Sequence, residues 1–198
     1  MNGKVIVAVI AVAAMAVLGG MYFLASVTEQ GAVTSVDGTP QNWNVYKNAE
    51  FGFEFRYPKT YFLEEREIGD AHRGHYLVML TDDTEENRLV REGKSPGREG
   101  PVAVTFDIYQ NDLDRVSLAE WLTGTNNSNF KLGDGTYATS TIAGREAVVY
   151  KWSGLYEADN VAFVHANSIF SAAVTYIDPN EGIRKDFRRI LSTIQFTR

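Results

Sequence analysis

Hydrophobic and polar positions follow different rhythms along this 198-residue chain, and the changes of rhythm divide it. Residues 5–27, VIVAVIAVAAMAVLGGMYFLASV, carry no charge and no period. As a helix rising 1.5 Å per residue, the run crosses the ~30 Å hydrocarbon layer of a bilayer. The sequence therefore predicts a transmembrane signal anchor over 5–27 behind a short N-terminus at 1–4. A cleaved signal peptide is the competing reading, but its apolar region spans only about 7–15 residues. Leu24-Ala25-Ser26 also makes a poor cleavage site. Lys4 precedes the run, and the first basic residue after it is Lys47. The positive-inside rule then places the N-terminus in the cytoplasm and everything after residue 27 outside the plasma membrane. Residues 28–45 are polar and aperiodic. They read as a flexible tether that holds the C-terminal domain roughly 20–25 Å from the membrane. Trp43, at its end, is expected to pack on the domain edge.

From residue 46 onward short stretches alternate with period two, the mark of half-buried strands. Phe51, Phe53, Phe55 and Tyr57 open the series, succeeded by a charged strand over 62–68 and then HYLVMLT over 75–81. Residues 102–110 point Val102, Val104, Phe106 and Ile108 to one side. Residues 141–152 hold an Ala143-Gly144 turn, and 161–176 read as a hairpin turning at Asn167-Ser168. Two stretches change to helical spacing. Ser117-Leu118-Ala119-Glu120 is a capping box ahead of Trp121 and Leu122, and Gly124 stops that helix. Asp178-Pro179-Asn180-Glu181 reads as an N-cap with proline in the first turn. Beyond it Ile183, Phe187, Ile190, Leu191 and Ile194 share one stripe. Strands joined by short turns, with two helices set among them, predict an α+β domain built on an antiparallel sheet of six or seven strands.

Charge and chemistry narrow the function classes. The 25 acids outnumber the 19 Lys and Arg, giving a net charge of −6, which argues against nucleic acid as a partner. The FGFEF stretch also lacks the basic and glycine positions of an RNA-recognition strand, so its aromatics read as core. No cysteine is present, which excludes disulfides, thiolate metal sites and a cysteine nucleophile. No nucleophile elbow, phosphate-cradling glycine loop or HExxH occurs, so no catalytic residue, cofactor or metal ligand is assigned. His72 and His75 stand three apart, but Gly74 and the strand after it disfavour the helix a shared metal needs. The acids over 82–87 lack the spacing of a calcium loop and read as a solvated turn. Asp112 and Asp114 sit in a loop where nothing converges on them. Asn126-Asn127-Ser128 matches the glycosylation pattern. Residues 88–101, RLVREGKSPGREGP, read as a long polar loop carrying Arg88, Arg91, Lys94 and Arg98. Its first reading is a mobile, solvated loop; its second is a docking element for an anionic partner.

Several of these pieces, in their order, resemble the PsbP family, the lumenal extrinsic subunit of photosystem II and its bacterial relatives. They are Phe51-Gly52-Phe53 through Tyr57-Pro58, the VAVTFDIY strand, the SLAEWL helix and the turn at 142–147 into VVYKW. The NVAFV…AAVTY hairpin and the closing FRRILSTIQF complete the set, so that the resemblance covers roughly residues 46–198. It implies an α/β/α sandwich with a central antiparallel sheet, and an accessory or binding role rather than catalysis. Eukaryotic relatives of this family bind a small GTPase. No metal-ligand or partner-binding motif of the family matches here, so no site residue carries over. With an anchor in place of a transit peptide, the chain looks closer to bacterial, membrane-anchored relatives than to the photosystem subunit. The expectation is an extracytoplasmic domain that docks another envelope or membrane protein. Its rivals are an enzyme or small-ligand carrier with a pocket between sheet and helices, and a calcium- or manganese-binding accessory subunit of a membrane complex.

Overall fold

The computed structural model describes residues 42–69, 73–95, 99–111 and 114–197. The predicted anchor, the tether up to residue 41, His72, Arg98 and Asp112 lie outside them. Among the described residues ten strands and three helices run in the order β1 (Asn44–Asn48), β2 (Phe53–Tyr57), β3 (Tyr61–Glu67), β4 (His75–Asp82), α1 (Glu85–Arg91), β5 (Val104–Gln110), α2 (Leu118–Gly124), β6 (Tyr137–Ile142), β7 (Arg145–Ser153), β8 (Glu157–His165), β9 (Ser168–Tyr176), α3 (Gly182–Ser192) and β10 (Gln195–Phe196). A 3-10 turn, Phe130–Leu132, lies between α2 and β6.

Seven strands form one antiparallel sheet in the order β3-β4-β5-β9-β8-β7-β6. The other three, β1-β2-β10, form a small antiparallel sheet of their own. Alternation decides what each face of the large sheet buries. Val78, Leu80, Val104, Phe106, Ile108, Val161, Phe163, Phe170 and Val174 point to one side and are almost wholly buried. The small sheet and the apolar stripe of α3 cover this side, α3 packing on both β9 and β2. Phe55 stacks on Phe106 at 4.6 Å between centroids, and Phe53 meets Phe170 edge-on at 5.1 Å. Burying such a ring contributes on the order of 2–3 kcal/mol. On the opposite side α2 and the 3-10 turn cover Val148, Tyr150, Ala162 and Ile169 with Trp121, Leu122 and Phe130. Helices thus lie on both faces of the sheet.

Four differences from the sequence reading have local causes. The first aromatic strand belongs to the small sheet, paired with a strand the sequence had not marked, β1, which begins at Asn44 inside the segment read as tether. Trp43 packs on the core edge as expected. The polar loop predicted over 88–101 is helical at its start. Thr84 caps α1 by accepting from the Asn87 amide, with Glu85 and Glu86 in the first turn and Arg88 and Arg91 in the last. The cap of α3 is Glu181 rather than Asp178. Glu181 turns its carboxylate back onto the amides of Ile177 and Asp178, so residues 178–181 make a turn that precedes the helix. The β8–β9 hairpin turns at Ala166-Asn167, one residue early, with Ala166 at φ +51°.

Candidate functional sites

Of the cations singled out in the sequence, Arg88, Arg91 and Lys94 lie at the end of the large sheet where β4 finishes. Arg88 bridges Glu85 and Glu92 at 2.5 and 2.7 Å, and Lys94 pairs with Glu92 at 2.7 Å. Arg91 reaches Asp83 at 2.9 Å and lays its guanidinium 4.0 Å over the Phe62 ring. Helical spacing brings Arg88 onto its two acids at i−3 and i+4. These three cations are therefore locally matched by acids, and Arg91 in addition clamps α1 onto the sheet through Phe62.

The opposite end of β4, roughly 23 Å away at strand rise, carries an open depression of about 190 Å³. Glu50, Phe51, Glu67, His75, Tyr76 and Gln110 line it. Small-molecule pockets commonly enclose about 300–1,000 Å³, so this one fits a side chain or a group of a few atoms. His75 holds Asp107 at 2.8 Å through Nε2 and stacks on Tyr109 at 4.3 Å. Asp107 lies on β5, beside β4, and that pairing brings together residues 32 apart in sequence. The pair has the form of an imidazole oriented by a carboxylate. Among the described residues, no serine or threonine hydroxyl bonds to His75. Ser171, cross-strand partner of Asp107, is instead engaged by Asn160, which also donates to the Tyr150 hydroxyl. Behind the depression Glu65 accepts from both Tyr46 and Tyr76 hydroxyls, at 2.5 and 2.6 Å. Burial first, and this carboxylate second, push both phenols above the ordinary tyrosine range.

The remaining histidine, His165, belongs to a third cluster. It stacks on Phe196 at 4.2 Å, and the Arg145 guanidinium lies 4.6 Å over the same ring. Burial, with the Arg145 charge behind it, holds the His165 imidazole below its usual range. His165 Nδ1 and Arg145 Nε are both buried with no hydrogen-bond partner among the described residues. Asp114 pairs with Arg73 at 2.7 Å. The Ser128 hydroxyl is buried and donates to the Leu122 carbonyl, so the Asn126-Asn127-Ser128 sequence ties off α2. Among the described residues no three His, Asp or Glu side chains converge as a metal site. No described helix is long and apolar enough to cross a membrane.

A helix-flanked antiparallel sheet with its small accessory sheet defines an α+β fold of PsbP type. The chain is similar to the solution structure of cyanobacterial PsbP (CyanoP) from Synechocystis sp. PCC 6803, with a TM-score of 0.51 at 8% identity. That similarity covers 82% of this chain and 99% of the other. No protein-family model and no curated protein matches the chain.

Proposed function

We propose that this chain is a membrane-anchored, extracytoplasmic accessory domain of bacterial cell-envelope type that docks another envelope or membrane protein and has no catalytic role. The observation that carries the reading is the uncharged run over 5–27 set ahead of a PsbP-like domain. Such a run places a folded domain at a membrane surface, where a docking role needs neither cofactor nor nucleophile. The segment from Arg88 to Arg98 is the docking element in this reading, and the acids matched to its described cations direct it to a partner of mixed charge. The test is cross-linking in native membranes with identification of neighbours, beside extraction of the full chain by alkaline carbonate. The expected result is a carbonate-resistant chain linked to a defined neighbour. The link should weaken when Arg88, Lys94 and Arg98 are all changed to Ser. A chain released by carbonate sinks the anchor, and a chain recovered from intact membranes with no neighbour sinks the docking role.

A further inference from the structure

We infer that the β6 edge of the large sheet is a pairing surface for a second copy of this chain. An edge strand presents a row of unpaired backbone groups, and folded proteins protect such edges with charge, proline or a bulge. The other long edges here obey that rule. β3 carries Glu64, Glu65, Arg66 and Glu67, and β1 carries Lys47. β6 reads Tyr-Ala-Thr-Ser-Thr-Ile, with no charge and no proline, and runs in unbroken register against β7 from Tyr137 to Ile142. Among the described residues β7 is its one strand neighbour.

The hairpin sets which groups of β6 face outward. Ala143 and Gly144, at φ +46° and +78°, make a two-residue turn, so Ile142 and Arg145 are a hydrogen-bonded pair. Alternation then directs the backbone groups of Ile142, Ser140 and Ala138 to β7 and those of Thr141, Thr139 and Tyr137 away from it. A second β6, antiparallel about a twofold axis at Thr139, matches this set to itself. Thr139 meets Thr139 of the other copy, and Tyr137 meets Thr141 in both directions. Each pair exchanges two backbone hydrogen bonds. On the shared face the contacts are Thr–Thr and aromatic–β-branched, both favourable across antiparallel strands.

Two features favour a second copy over an unrelated strand. The edge is self-complementary in the one register that uses all its outward-facing backbone groups, the signature of an isologous twofold contact. It is also a charge-free strip on a chain whose net charge of −6 repels its own copies elsewhere. Tyr137, 48% exposed, ends the strip with an apolar ring that meets Phe130 of the 3-10 turn edge-on at 6.0 Å.

The full chain, purified in detergent, is tested by sedimentation velocity over a range of concentrations. The native chain is expected to dimerise. Thr139→Pro removes an N–H that faces away from β7, so it should abolish the dimer while leaving the thermal midpoint nearly unchanged. Thr139→Lys and Thr139→Glu should each be monomeric, and mixing the two should restore a dimer by placing opposite charges across the axis. A native chain that stays monomeric throughout, including one that binds an extended peptide at this edge, overturns the proposal. So does a dimer that survives Thr139→Pro and Thr139→Lys, because its contact then lies elsewhere.

Discussion

His165 shows how a single side chain here reports on its surroundings. Burial is the main cause, and Arg145 the second, that hold its pKa below the ordinary 6.5, while a backbone contact at Gly52 acts weakly the other way. The unfolded chain therefore takes up this proton near pH 6.5, and the folded chain takes it up only at lower pH. Between the two the unfolded state binds more protons, so stability falls as pH drops through that window. His165→Phe keeps a ring against Phe196 and removes the titration. Urea unfolding at pH 7 and pH 5 should show the native chain losing more stability than the variant over that interval. Equal losses would mean that His165 titrates normally in the folded chain. Neither this cluster nor the His75–Asp107 pair was legible in the sequence, because their members come from different strands. The nearby spacing of His72 and His75 was conspicuous, yet the partner His75 takes is Asp107.

Elements were legible where their signals are local. The Ser117–Glu120 box forms as read, Ser117 accepting from the Glu120 amide while Glu120 accepts from the Ser117 amide. The β6–β7 turn at Ala143-Gly144 forms as read too. α1 escaped notice because none of its residues is buried, so it has no apolar stripe to read. Its Thr84 cap and its acid-to-base order were the available signals. α3 was placed correctly by its stripe, but its first turn was not, since Glu181 had a competing use for its carboxylate. One close approach between elements was hidden altogether. Gly133, just past the 3-10 turn, brings its backbone against β7, and an added Cβ would stand 2.2 Å from the Lys151 carbonyl oxygen. Lys151 is held in register with Asp159 and cannot retreat. Gly133→Ala should therefore cost about 1–3 kcal/mol in urea unfolding. A neutral result would mean that the turn lifts away from β7 freely.

At the scale of the whole molecule, alternation predicted that the aromatic face of the opening strand is buried, and the family resemblance implied that helices flank a sheet. Alternation did not reveal that the buried aromatics sit in a separate sheet, because a buried face looks the same whichever sheet carries it. Phe55 and Phe106 join the two sheets, so both belong to one core. Phe55→Ala should destabilise the domain by about 3–5 kcal/mol. Fluorescence and circular dichroism should still report a single shared transition. Two resolved transitions would show that the small sheet unfolds on its own.

That small sheet has a consequence in time. Its central strand, β2, lies near the start of the domain, and one of its two neighbours, β10, lies near the end. Phe53 cannot find Phe196 until nearly all of the domain has been made. In a chain growing from its N-terminus this closure therefore stays open until the last short strand has been made, and that strand acts as a latch. Contacts so distant in sequence form slowly, because a long loop must close before they reward it.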